Sequence, residues 1–208
     1  MSIYAIGDIH GCFEKLEQLF KIITLEEDDE IIFLGDYIDR GPDSKEVIDF
    51  IINLKFKKKD KVVCLKGNHE KMFLDFLKGE NIDVFFANGG RETIKSYSKS
   101  GSFYLPAEHL DFFRSLRLYY ETENYLFVHA GIAPNRAITE QLEDDLLWIR
   151  GEFIYANLNI GKKIIFGHTP SRNFLPYFDS DKIGIDTGAV YGGFLTAIKL
   201  PEEKIFQV

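Results

Sequence analysis

The chain has 208 residues, 45% of them hydrophobic and 28% charged, which is the make-up of an ordinary folded domain and excludes disordered or fibrous classes. No apolar run exceeds four residues, far short of the roughly twenty that a spanning helix needs, and the N-terminal MSIYAIGDIHG lacks a basic segment followed by an apolar stretch, so neither a membrane span nor a secretory leader is expected. The net charge of −8 disfavours a nucleic-acid partner, and two cysteines, Cys12 and Cys64, are too few for a disulfide framework, which points to a reducing cytoplasm.

Short β-rich runs are predicted as strands at Ile3–Ile6, Ile31–Leu34, Lys61–Leu65, Tyr125–Val128, Lys163–Phe166, Ile183–Ile185, Phe194–Ile198 and Ile205–Val208. Between the early strands, Phe13, Leu16, Phe20 and Ile23 share one helical face. Val47, Ile48, Ile51 and Leu54 share another, behind a start signal in which Asp43 can cap and Glu46 can reach back. Met72, Phe73, Phe76 and Leu77 form a third apolar stripe, and Leu110, Phe113 and Leu116 a fourth behind Pro106. The lysine cluster from Lys55 to Lys61 reads as a solvated connection. His109 is expected on a helix surface, Cys12 and Cys64 in the core. No repeat or linker divides the chain, so residues 1–208 are expected to form a single domain. The later half holds more strands with fewer helices between them, which predicts a four-layer α/β/β/α sandwich with mixed sheets.

In open α/β folds, ligands gather beyond the carboxyl ends of strands, and there this chain concentrates its polar residues. Successive strands run into Gly-Asp-Ile-His-Gly (7–11), Gly-Asp-Tyr-Ile-Asp-Arg-Gly (35–41), Gly-Asn-His-Glu (67–70), His-Ala-Gly (129–131) and Gly-His-Thr (167–169). Four of the five histidines lie in these turns. A lone Asp after Gly is usually a turn residue, but Asp8, His10, Asp36, Asn68, His129 and His168 offer six donors from adjacent strand ends. Left empty, such a cluster would cost solvation and repulsion; divalent cations remove that cost. A mixed oxygen and nitrogen set without thiolate suits Mn, Fe or Zn better than Ca, and six donors suggest two ions sharing one carboxylate.

With these motifs in this order, the chain resembles the phosphoprotein phosphatase family of dinuclear metallophosphoesterases, most of all its compact bacterial and phage-type branch, whose relatives include diadenosine tetraphosphatases. Glu70 and Asp39-Arg40-Gly41 carry the likeness to that branch. The resemblance implies one ion on Asp8, His10 and Asp36 and a second on Asp36, Asn68, His129 and His168. It implies His69 as general acid, Asp39 as the carboxylate that orients it, and Arg40 as a phosphate-binding arginine. Arg150 is expected as a second such arginine, on a looser match. Asp186, ending another strand, is expected to hydrogen-bond a site loop. Tyr191-Gly192-Gly193 and Asn88-Gly89-Gly90 could be loops at the pocket mouth or plain turns.

Water activated between two ions about 3.5–4 Å apart would attack phosphorus directly, without a phosphoenzyme. The expected activity is therefore that of a metal-dependent phosphomonoesterase, in first place a serine/threonine protein phosphatase acting as a monomer in the cytoplasm, with Mn, Fe or Zn as the metals. The alternative is a dinucleoside polyphosphate hydrolase, placed second because the acidic chain offers no obvious nucleotide pocket. A metal-bound scaffold without turnover is the remote third reading, since His69, Asp39 and Arg40 are all present. Neither nucleic acid nor membrane is expected as a partner.

Overall fold

Alternation along the apolar runs sorts their side chains into three separate cores. The computed structural model describes residues 1–208. β1 (Ile3–Ile6), β2 (Glu30–Phe33) and β3 (Val62–Cys64) are parallel, joined by α1 (Phe13–Ile22) and α2 (Ser44–Lys58). α3 (Asn68–Leu77), α4 (Ile82–Ala87), α5 (Gly90–Ser96), a hairpin of β4 (Ser98–Lys99) and β5 (Ser102–Phe103), and α6 (Ala107–Arg114) follow. A second sheet has β6 (Tyr119–Glu121), β7 (Tyr125–Val128), β8 (Lys163–Phe166), β9 (Tyr177–Phe178) and β10 (Lys182–Gly184) in the order β6-β7-β8-β10-β9. Two short helices, α7 (Glu143–Trp148) and α8 (Gly151–Ile154), lie between β7 and β8. The chain then returns to the first sheet through β11 (Thr196–Leu200) and β12 (Lys204–Gln207), giving the order β12-β11-β1-β2-β3.

Ile31 and Phe33 of β2 turn outward to α1, α2 and α3, whereas Ile32 meets Phe127, Ile165 and Ile183 of the opposite sheet. On that sheet Leu126, Val128, Ile164 and Phe166 face outward to Leu146 of α7 and Phe153 of α8. The layers are therefore helix, sheet, sheet, helix, with mixed strand directions, as the periodicity predicts. Burying each such Leu, Ile or Phe is worth about 1.5–3 kcal/mol, and the strand ends are fixed by that packing.

Several local expectations need correction. Asp43 occupies the position before α2, but its φ of −113° and ψ of 42° leave no side-chain cap; its amide instead donates to the Gly11 carbonyl. Glu46 accepts from the Ser96 hydroxyl rather than reaching back. His109 is buried: it bonds the Tyr97 hydroxyl at 2.8 Å and Asp49 at 2.9 Å, tying α2, α5 and α6 together. Cys64 is buried as expected, while Cys12 is partly exposed and packs at the core's edge. The ammonium groups of Lys58 and Lys61 donate to the carbonyls of Glu26 and Asp28, so the lysine cluster closes the end of α2, where cations suit the helix dipole. No helix is long and apolar enough to cross a membrane.

Candidate metal centre

The parallel strands β1, β2 and β8 end in turns whose backbone takes a left-handed conformation to bring a polar side chain back over the sheet. His10, Asp36, Asp39, Arg40 and His168 all have φ between 47° and 71°. For residues with a Cβ this costs roughly 1–2 kcal/mol apiece, a cost typical of functional sites. The turns also pack without room for side chains. A Cβ on Gly41 would strike the His10 carbonyl, and one on Gly67 would strike the Asp36 carboxylate.

The ten residues singled out from the sequence converge. Asp36 lies at the centre, and its two oxygens face opposite ways: Oδ2 is 3.5 Å from His10 Nε2, and Oδ1 is 3.4 Å from His129 Nε2. The other ring nitrogens of these histidines are held by carbonyls, His10 Nδ1 by Ile38 and His129 Nδ1 by Leu34, each at 2.9 Å. Those bonds place the proton on Nδ1 and leave the Nε2 lone pair facing Asp36, the tautomer a metal ligand requires. The Asn68 side-chain oxygen lies 3.0 Å from His129 Nε2 and 2.9 Å from His168 Nδ1. Asp8 closes the far side by accepting the His168 amide. His10, Asp36 and His69 form one group able to hold an ion, and Asp36, His129 and His168 another.

The electrostatics are those of acceptors crowded without a counter-charge. Burial and the nearby Asp186 and Asp36 carboxylates push Asp8 well above the usual range for a carboxyl. Burial holds His10 down at about 3 and His168 at about 2. Burial opposes ionisation of Asp36 as well, yet its close contact with the imidazoles of His129, His69 and His10, which stabilise the carboxylate, draws it below its ordinary value. The Nε2 atoms of His69 and His168 are buried and have no partner in the protein. Unpaired buried polar atoms of this kind are uncommon, so the donor set fits a pair of hard or borderline cations.

His69 Nδ1 is bonded to Asp39 Oδ2 at 2.7 Å, with both side chains fully buried. Arg40 donates from Nη1 to His10 Nε2 at 2.6 Å, and its guanidinium lies 5.5 Å from the centre of the Tyr191 ring. That lone pair can serve a guanidinium or an ion, not both. Arg150 donates to the His168 carbonyl at 3.2 Å and to the Thr169 hydroxyl at 3.3 Å. With Asp36, Arg40, Asn68, His168, Pro170 and Tyr191 it lines a cavity of about 110 Å³ over the cage. Tyr191 thus lies at the pocket, and the Gly89 carbonyl of the Asn88–Gly90 loop accepts the Arg40 amide. Asp186 accepts the Gly188 amide at 3.0 Å, as expected of a residue tying down a site loop.

Three residues escaped sequence reasoning. Glu70 enters it only as a motif residue, yet its carboxylate accepts the amides of Asp36, Tyr37 and Gly67, each at 2.9 Å, and so holds the central turn. Thr93 donates to Asp39 Oδ1 at 2.6 Å and accepts the Asp39 amide at 2.9 Å. Ser44 Oγ also accepts that amide, at 3.2 Å. Only the position of Glu70 within its motif gave any signal.

A buried Asp36 flanked by imidazoles and arginines, at the strand ends of a double sheet, defines a metallohydrolase class of site. A family model described as calcineurin-like phosphoesterase matches residues 1–194, and the chain belongs to that family. It is 31% identical to the Oceanobacillus iheyensis bis(5'-nucleosyl)-tetraphosphatase PrpE [asymmetrical], covering 100% of this chain and 92% of that one. It is 29% identical to the Salmonella typhimurium serine/threonine-protein phosphatase 1, covering 95% and 91%. Its fold matches a crystal structure provisionally named as a diadenosine tetraphosphatase, with a TM-score of 0.79 at 23% identity over 100% of this chain and 92% of that one.

Proposed function

We propose that this metallophosphoesterase hydrolyses dinucleoside polyphosphates, with serine/threonine phosphoproteins as the second reading. The observation that carries the hydrolytic chemistry is the divided Asp36 carboxylate, one oxygen toward His10 and the other toward His129, among imidazole nitrogens without partners. Asp8, His10 and Asp36 would hold one divalent ion, and Asp36, Asn68, His129 and His168 a second. Such a pair, when bound, supplies an acidified water and neutralises phosphoryl oxygens.

The protein's own groups do the rest. Arg40 and Arg150 flank the cavity and offer forked donors to the non-transferred oxygens. His69, with Nδ1 fixed by Asp39, keeps Nε2 free to hand a proton to the departing oxygen. Asp39 is itself fixed by Thr93.

For the substrate, the full-length likeness to PrpE at 31% supports the dinucleotide. So does a groove of about 700 Å³ that shares Arg150 and Pro170 with the catalytic cavity. These are our reasons for reversing the order reached from sequence, where no nucleotide pocket was visible. The 29% likeness to the Salmonella enzyme keeps the phosphoprotein as the second reading. Steady-state kcat/KM of the Mn-loaded protein on diadenosine tetraphosphate and on phosphoserine peptides decides between them. A large preference for the peptides overturns the first reading.

A further inference from the structure

The groove beside Arg150 is walled by α8 and its C-terminal end on one side and by the 169–178 loop on the other. Its floor includes Phe166 and Gly184 of the second sheet. Tyr155, the residue after α8, is 90% exposed, and Phe178 is 48% exposed. Large rings left in water on facing walls are expensive unless something covers them, and a planar π-system is what two such rings cover best. Arg172, exposed on the loop, makes no ion pair and leaves its charge to the groove. The Ser171 hydroxyl, also in the lining, is a buried polar group with no hydrogen-bond partner in the protein. At the inner end, Arg150 and Pro170 belong to both the groove and the cavity over Asp36.

We infer that this groove is a nucleoside subsite, with the base against Tyr155 and Phe178 and the phosphate chain running past Arg150 into the catalytic cavity. This rests on the dinucleotide reading and adds the residues that would recognise the nucleoside. Charge complementarity favours that occupant: two arginines against one carboxylate, Asp186, line a groove in a protein of net charge −8, and a nucleotide brings both a ring and an anion to them. Arg150 and Pro170, shared by the groove and the cavity, connect the seated nucleoside to the place where phosphorus is attacked. Water adds its oxygen to that phosphorus and the bridging oxygen leaves with a proton, dividing the dinucleotide into two nucleotides.

The test compares Tyr155→Ala and Tyr155→Phe with the parent protein, using two phosphoanhydride substrates, one that carries nucleosides and one that carries none: diadenosine tetraphosphate and inorganic tripolyphosphate. Removing one base-stacking ring costs about tenfold in affinity. Tyr155→Ala should therefore lower the ratio of kcat/KM for the dinucleotide over that for tripolyphosphate about tenfold, mainly through KM, and Tyr155→Phe should restore it. Calorimetric Kd for adenosine 5'-monophosphate should weaken by a similar factor in Tyr155→Ala. An unchanged ratio and Kd in protein that hydrolyses the dinucleotide would remove the subsite and leave the dinucleotide reading standing. A parent protein that cleaves phosphopeptides but not diadenosine tetraphosphate would remove both.

Discussion

In the cage around Asp36, Asp8, His10, Asn68, His69, His129 and His168 are each no more than 4% exposed, and the turns that carry His10, Asp36 and His168 hold backbone conformations that residues with a Cβ avoid. In the neighbouring groove, Tyr155, Leu175 and Phe178 are 90%, 52% and 48% exposed, and their partners are mostly water. The two regions meet at Arg150. The difference separates two tasks. Groups that act on a reacting bond must be held within tenths of an ångström before substrate arrives, which calls for burial and strain. Groups that recognise the rest of a substrate need only complementary surface. Substitutions in the cage should therefore act on kcat, and those in the groove on KM and substrate choice.

The largest effect expected is that of Asp36→Asn. Losing the carboxylate that faces both His10 and His129 should abolish turnover on every substrate and also remove the rise in melting temperature that Mn gives the parent protein. A variant that still gains stability from Mn would show that Asp36 is not the shared centre. Next comes His69→Ala, expected to lower kcat by about 10²–10⁴ on substrates with poor leaving groups and much less on nitrophenyl phosphate. Equal losses on both would argue against an acid role.

Thr93 sharpens the comparison from within the cage, because it touches no substrate. Its hydroxyl is a donor to a buried carboxylate, a contact worth about 1.5–3 kcal/mol, so Thr93→Val should lower kcat about 10- to 100-fold with little change in KM. Thr93→Ser keeps the hydroxyl and should recover most of the loss. A Val variant whose loss appears in KM alone would make Thr93 a structural contact only.

The sequence carried the cage further than its supports. Donors such as Asp8 and His129 were legible because their chemistry demands rare residue types, and strands ending in Gly place those types at one edge. The strands at Ile3–Ile6, Tyr125–Val128 and Lys163–Phe166 have the bounds predicted, since both neighbours and both faces are fixed by packing. By contrast β6, β9 and the β4–β5 hairpin went unseen, because strands of two or three residues show no period. Thr93 lies 54 residues from Asp39 on a seven-residue helix, and only the folded chain brings them together. His109 was misplaced for a related reason: nothing local distinguishes a histidine bonded to Tyr97 and Asp49 from a solvated one. The groove consists of ordinary Tyr, Phe, Arg and Pro residues in a loop, with no motif to mark them.

The pH dependence of stability reports on the same crowding. Burial keeps His10 and His168 neutral down to about 3 and about 2, so the unfolded chain binds protons the native state refuses, and stability is lost as pH falls below about 6.5. The carboxyls act in the opposite direction. Burial, with the charge of Asp36, pushes Glu70 up to about 8, and burial pushes Asp186 to about 6. The native state keeps these protons after the unfolded chain has released them, so that contribution is present at low pH and disappears as pH rises through those values. Above about pH 6.5 only the carboxyl effect still changes, and the melting temperature of metal-free protein should fall between pH 6.5 and 8.5. Ions require ionised carboxylates and neutral imidazoles, so the stabilisation from Mn should grow over the same interval. Melting curves in chelator and in Mn at three pH values check both slopes, and a stabilisation that shrinks with rising pH would count against an ionic cage.

The smallest effect expected lies at the outer edge of the groove. Arg172 is exposed, so its attraction for a polyphosphate passes through water and is screened over about 8–10 Å at ordinary ionic strength. Arg172→Ala should raise KM for diadenosine tetraphosphate only about two- to threefold at low salt, should lose that effect in about 0.5 M salt, and should leave kcat alone. Arg150 is exposed too, but its bonds to the His168 carbonyl and the Thr169 hydroxyl fix it at the mouth of the cavity, where a phosphoryl oxygen would meet it by direct contact rather than through water, and its removal should depress kcat at any salt concentration. If the two arginines instead respond to salt alike, the boundary between cage and groove does not fall at Arg150, and the arginine acts in recognition rather than in the transition state.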